Sequence, residues 1–274
     1  TNETTGPLFL PEYMPPTAAP LNFSQLFQDR SCPFSNVDIV LYTGTRDRPM
    51  LPAFFTAFAK FMPCYRKFLL FAPKDEIEEL SAELPHIPNL QLQPIVVAAE
   101  IAKWHTKDPR WLVGKDIMVW ANLWTDRWTD AEFVMFLDTD SILAFPVTCA
   151  TLFDDSGKPL WFYWTSVHTR LSHATKKVFK TVPYKNFMSY FPIVFPTQML
   201  RTVRRVVSHH ANLPFNAALN LMRPFFSQFD FIGNTMFHKA PSAGALWPCK
   251  HWSAVERTDR CLAHVFPAVH IPYP

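Results

Sequence analysis

Residues 132–146 read EFVMFLDTDSILAFP, an apolar run that ends by delivering two aspartates, Asp138 and Asp140. Positions 133–137 are apolar or aromatic and turn signals lie on both sides, so the run is read as a buried strand of a parallel sheet. Open α/β sheets bind ligands at the carboxyl ends of their strands, which places Asp138 where a ligand would sit. Two carboxylates this close repel each other unless a cation lies between them. Hard oxygen donors suit Mg2+ or Mn2+, ions that keep waters and accept substrate phosphate oxygens. The local reading is a divalent-metal diphosphate site. The plain alternative is that both aspartates are turn formers or caps.

A sharper competitor is the haloacid-dehalogenase phosphatase motif, a buried strand followed by Asp-x-Asp-x-Thr in which the first aspartate is the nucleophile. Here Ile142 stands at the fifth position. That motif also opens its fold on the first strand, whereas Asp138 lies far downstream of Asp38 in the first strand candidate. Position argues against the phosphatase.

Upstream, residues 37–43 (VDIVLYT) read as the first strand, closing on a loop over 44–48 that leaves Thr43 and Arg46 at its carboxyl end. Residues 50–62 carry apolar side chains at helical spacing. Residues 67–71 (KFLLF) form a second strand running into a charged helix over 74–84, and 90–97 a third strand. An amphipathic helix is expected over 111–128, with Ile117, Met118, Ala121 and Trp124 on one face, feeding the strand that ends at Asp138. This alternation predicts a mostly parallel α/β sheet flanked by helices and joined by right-handed crossovers. Neither Gly-x-Gly-x-x-Gly nor Gly-Lys-Ser/Thr occurs, which leaves a metal as the means of holding a diphosphate. Beyond Pro146 the rhythm breaks into an aromatic strand over 160–165, an apolar-aromatic stretch over 184–196 and a helix over 197–210. A helix start capped by Ser227 follows, then a tail carrying His251, His264 and His270. Trp161, Trp164, Tyr190 and Trp247 are candidates for stacking on a ligand ring, with core packing the commoner role of such residues.

Size allows one full core, and the chain is read as a proline-rich stem or linker, 1–36, followed by a single domain, 37–274. Within it, 37–146 is the nucleotide half and 147–274 the acceptor half. The 26 phenylalanines predict a thick aromatic core, and a net charge of +3 without a dense basic block argues against nucleic acid as partner. No run of eighteen apolar residues suggests a membrane span. Asn2-Glu3-Thr4 and Asn22-Phe23-Ser24 are glycosylation sequons, as expected of a luminal stem whose membrane anchor lies upstream. The expected location is therefore the secretory pathway, in the Golgi lumen. Five cysteines permit two disulfides and one thiol, with Cys249 and Cys261 the expected pair, although five buried thiols of a cytosolic enzyme would look the same.

A first strand, alternating helices and an apolar strand closing on Asp138-Thr139-Asp140 together resemble the GT-A fold glycosyltransferases that use nucleotide sugars. The stretches YFPIVFPTQMLRTVR and FSQFDFIGNTMF are similar to segments of uncharacterised nucleotide-diphospho-sugar transferases, where the second often carries Ser-Glu-Phe/Tyr; Gln228 replaces that Glu here. The resemblance implies a Rossmann-like nucleotide half with Asp140, and Asp138 directly or through ribose, positioning Mn2+ or Mg2+ on the donor diphosphate, UDP-sugar favoured. A histidine near the C-terminus, His270 first and His264 second, would complete the metal site. Thr43, Arg46 and Lys115 would contact base or ribose, and Asp230, beside Gln228, would serve as base toward a glycan or glycoprotein acceptor if the reaction inverts configuration. If it retains configuration, Asp230 is left to a helix cap. A non-catalytic carbohydrate-binding protein would keep the fold and the aromatics without the metal.

Overall fold

A sheet whose strands are apolar on both faces must be covered on both, and this requirement organises the molecule. The computed structural model describes residues 33–62, 64–96, 110–164, 175, 178, 185–187, 191–222, 226–249 and 268–270, all within one compact unit, Cys32–Pro274. The central sheet has five strands in the order β3-β2-β1-β4-β7: β1 Val37–Tyr42, β2 Lys67–Pro73, β3 Leu90–Ile95, β4 Phe133–Phe136 and β7 Ile193–Pro196. The first four are parallel and β7 runs antiparallel to β4, so the sheet is mostly parallel, as expected.

Successive side chains of a strand point to opposite faces. Val40, Tyr42, Leu69, Phe71, Val134, Phe136, Ile193 and Phe195 enter one core, and Ile39, Leu41, Phe68, Leu70, Met135 and Val194 enter the other. The first core is covered by α3 (Arg110–Asn122), α5 (Gln198–Ala211), α6 (Phe215–Met222) and α7 (Gln228–Lys239); the second by α1 (Leu51–Phe61) and α2 (Ile77–Glu83). A short helix, α4 (Cys149–Leu152), carries the chain into β6 (Leu160–Trp164), which pairs in parallel with β8 (Ala245–Cys249). Phenylalanine fills both cores with edge-on and stacked pairs, such as Phe136 on Phe195 at 5.0 Å and Trp161 on Phe195 at 5.6 Å. Trp161, a stacking candidate, is 1% exposed and belongs to the core. Among the described residues no helix is long and apolar enough to cross a membrane.

Two expectations are corrected. The helix expected over 111–128 stops at Asn122, and Thr125–Arg127 form a separate 3-10 turn. No Gly or Pro ends it; Arg204 of α5 does. Its guanidinium takes the Leu123 carbonyl and both oxygens of Asp126, at 2.6 and 2.7 Å, while lying over the Trp124 ring. Nor is the helix simply amphipathic: Asp116, Ile117, Val119, Trp120 and Ala121 are all buried, because it is covered on more than one side. Ahead of β1 stands a 3-10 turn, Pro33–Asn36, whose Phe34 is fully buried.

At the amino ends of the strands, Asp38 of β1 is buried at 0% exposure and held by both Arg66 Nε and Nη2, each at 2.8 Å. The same guanidinium reaches Asp130 at 2.6 Å, just before β4, and the Thr129 hydroxyl donates to Asp38. One cation thus ties the starts of β1, β2 and β4. Replacing Arg66 by Met strands the Asp38 charge inside the sheet, and removing one partner of a buried pair costs about 3–5 kcal/mol. With Arg66 partly exposed, the expected loss is about 2–4 kcal/mol in urea unfolding, against less than about 0.5 kcal/mol for the exposed Arg205→Ala.

Candidate active site

The strand order places a topological switch point between β1 and β4: the chain leaves β1 toward β2 and β3, then returns to the other side of β1. The crevice outside the carboxyl ends at such a point is where open α/β sheets bind ligands. Thr43 closes β1 there, its N–H on the Phe71 carbonyl at 2.9 Å, and the β1–β4 ladder continues with Leu137 N–H donating to Val40 at 3.0 Å. Asp138 therefore leaves the sheet beside Tyr42 and Thr43.

The chain then turns sharply. Ser141 N–H donates to the Asp138 carbonyl at 3.0 Å, and Asp138 Oδ1 accepts the Thr139 N–H at 2.9 Å. Ser141 opens β5 (Ser141–Leu143), which pairs antiparallel with β9 (Ala268–His270) in a register that sets His270 opposite Ser141. The backbone of His270 thus lies next to the residue following Asp140, across a large sequence separation. His264, Cys261, His251, Tyr190 and the segment 1–32 with its sequons lie outside the described residues. Among the described residues no group of three or more His, Cys, Asp or Glu is close enough to hold a metal ion.

Electrostatics single out Asp138. Burial pushes its carboxyl up to about 7, with the charges of Asp140 and Asp47 adding to the rise and the Thr139 N–H bond opposing it. Asp47 was not among the sequence candidates. It sits in the turn after β1, its N–H on the Gly44 carbonyl at 2.8 Å, one residue past the exposed Arg46. An acidic residue in a polar loop carries no signal by itself; only the pairing of β1 with β4 brings it near Asp138. The adjacent cation, Arg48, is directed to the acidic α2, bridging Glu79 at 2.7 Å and approaching Glu76 and Glu83. The hydroxyls of Thr43 and Thr139 are buried without a hydrogen-bond partner among the described residues. Oxygen donors, a carboxyl raised by burial and acidic neighbours, and orphaned hydroxyls fit a hard divalent cation with its own waters.

The remaining candidates fall on two helices. Lys115 stands near the middle of α3, half-buried; burial lowers its ammonium pKa and Asp116 partly restores it. The start of α7 reaches the carboxyl edge, since Phe229 packs on Phe136 at 6.2 Å and on Phe191 at 5.4 Å. As expected, Ser227 caps this helix, its oxygen accepting the Asp230 N–H. Gln228 is 5% exposed and Asp230 fully buried. Asp230 Oδ1 accepts the Phe187 N–H at 2.7 Å, and Asn234 exchanges bonds with the Lys185 backbone, its Nδ2 on the Lys185 carbonyl at 2.8 Å. Between them, a side chain on Gly233 would meet the Phe187 ring at 2.0 Å. Asp230, Gly233 and Asn234 form a clasp on residues 185–187. In this conformation the Asp230 carboxylate presents no exposed oxygen to an acceptor.

No family model matches the chain, and no curated protein matches its sequence. Among solved structures, the crystal structure of an active-site mutant of LgtC is similar at 15% identity and a TM-score of 0.49, covering 86% of this chain and 88% of that one. At that distance the likeness carries no weight on activity.

The Asp138 carboxyl has a testable sign. Its folded pKa of about 7 lies above the ordinary 3.8, so between those values the folded state keeps a proton the unfolded chain has released. Stability contributed by this group is present at low pH and lost as pH rises through about 7. In EDTA, thermal unfolding should show a fall from pH 5 to 7.5 on the order of 2 kcal/mol that Asp138→Asn removes.

Proposed function

We propose that this protein is a divalent-metal-dependent glycosyltransferase that moves a sugar from a nucleotide diphosphate donor, UDP-sugar favoured, to a glycan or protein acceptor. The observation that carries the reading is the Asp138-Thr139-Asp140 turn at the switch point of a mostly parallel sheet, where burial and the neighbouring charges of Asp140 and Asp47 push the Asp138 carboxyl up. A divalent cation held by Asp138 and Asp140 would relieve that repulsion. When bound, it supplies a Lewis acid that stabilises the charge growing on the departing diphosphate.

In this reading Asp138 and Asp140 hold the metal, and His270, whose backbone adjoins Ser141, is the third protein ligand. Thr43 and Arg46 at the end of β1, with Lys115 on α3, contact the base and ribose. Asp47 lies on the same rim and accepts a donor hydroxyl or N–H. The start of α7 faces the acceptor side with Gln228, while Asp230 acts by fixing residues 185–187. A luminal, Golgi location with an anchor upstream remains our proposal from the two sequons.

The test is thermal stability with Mn2+ alone, with UDP, GDP or CMP alone, and with each pair, since a ligand that binds only the folded state raises the melting temperature. The expected result is a shift that needs both Mn2+ and UDP and disappears in Asp140→Ala, with the apo protein still folded. A shift with no metal requirement, or one that Asp140→Ala retains, overturns the metal assignment.

A further inference from the structure

Lysine is rarely buried without an anion beside it, yet Lys185 is only 8% exposed and its ammonium has no carboxylate partner among the described residues. What faces the ammonium instead are two aromatic rings, Tyr163 of β6 at 5.0 Å and Phe237 of α7 at 5.4 Å. Ring faces offset part of the hydration that a buried ammonium gives up, and an anion offsets more. We propose that Lys185 is the cation of an anion-binding site, which takes the phosphate or carboxylate group of a ligand where β6 meets the end of α7.

The surroundings of Lys185 are fixed before any ligand arrives. Both polar backbone groups of this residue are held by Asn234, whose Oδ1 accepts its N–H at 3.4 Å and whose Nδ2 donates to its carbonyl at 2.8 Å. Two residues on, the Phe187 N–H is taken by Asp230, and the Phe187 ring fills the space beside Gly233. That ring also packs on Tyr163 at 5.3 Å, and Tyr163 meets Phe237 edge-on at 5.6 Å. The clasp of α7 on residues 185–187 therefore sets both the backbone of Lys185 and the rings that face its ammonium, and leaves the charge itself without a partner.

Neighbouring groups give this corner one sign. His238 is half-buried, and after burial the charges of Lys239 and Lys185 lower its pKa, so three basic residues act on one another here. The one carboxylate of α7, Asp230, lies near the other end of the helix and is bound to the Phe187 N–H. Tyr163 adds a donor: it is 7% exposed, burial alone raises its hydroxyl pKa, and no hydrogen bond opposes that rise. An ammonium and the hydroxyl of the ring that faces it suit an oxyanion, which accepts from both. An amine would be repelled. None of these residues belongs to the Asp138 turn, so the site stands or falls apart from the metal assignment.

Isothermal titration calorimetry in metal-free buffer without nucleotide, at constant ionic strength set by chloride, tests it with inorganic phosphate and acetate, and with methylammonium as the cationic comparison. At least one of the two anions should bind, and the tighter one identifies the ligand's group as phosphate or carboxylate. Lys185→Met should weaken binding at least about tenfold and Tyr163→Phe about two- to tenfold, the worth of a charged and of a neutral hydrogen bond. Asp138→Asn should leave it unchanged. Because Lys185 has no anion to strand, Lys185→Met without added anion should melt no lower than the native protein. Binding by neither anion overturns the proposal, as does full affinity in Lys185→Met, loss of binding in Asp138→Asn, or methylammonium binding as tightly as the anions. A lower melting temperature of Lys185→Met also overturns it, since Lys185 would then be a structural cation.

Discussion

Arg66 decides what the two ends of the central sheet can be. Parallel strands placed side by side bring their polar ends together, and at the amino end the buried Asp38 is matched in full by a two-point guanidinium contact that also reaches Asp130. That end is electrically closed. At the carboxyl end the reverse holds: Asp138, Asp140 and Asp47 act on one another, and the neighbouring Arg48 is drawn off to α2. A fold can gather like charges at one edge when its strands are secured elsewhere, and functional sites are where such local conflict is expected. The sheet's register, fixed at the Arg66 end, is what keeps the like charges of the other end together.

Much of this arrangement was legible in the sequence because strand chemistry is local. Val37 to Tyr42, Phe68 to Ala72 and Val134 to Leu137 are apolar at every position but Asp38, the mark of a strand covered on both faces, and all became sheet strands. Asp138 followed from such a strand ending in a turn. What escaped reading depended on distant partners. The end of α3 is set by Arg204, which no local feature of residues 111–128 announces. Asp47 looks like any loop residue until β1 and β4 pair. The stretch FSQFDFIGN was read for chemistry, yet Asp230, Gly233 and Asn234 are spent on gripping residues 185–187. A short polar motif looks the same whether its side chains face a ligand or another segment of the chain.

The contacts at the end of α3 and the start of α7 also stiffen the chain on either side of β4. Trp124 lies between two guanidinium groups, Arg127 at 3.7 Å and Arg204 at 4.0 Å, so the segment joining α3 to β4 is pinned from both faces. Phe229 of α7 rests on Phe136, two residues ahead of Asp138. A shift of α7 would thus be felt at the turn through a single aromatic contact, which makes the clasp on residues 185–187 part of the turn's support.

The pairing of Ser141 with His270 has a consequence for the order in which the molecule is assembled. The β1–β2 pairing is local, whereas β1–β4 and β5–β9 both join distant segments, and loop-closure cost grows too slowly with length to separate those two. What separates them is order of synthesis, since β9 follows every strand of the central sheet. A nascent chain can therefore hold the completed sheet while the strand beside Asp140 is still single. The crevice at the carboxyl edge would exist before the Asp138–Asp140 turn is fixed, and a completed site would arrive as a late event, separate from the collapse of the core.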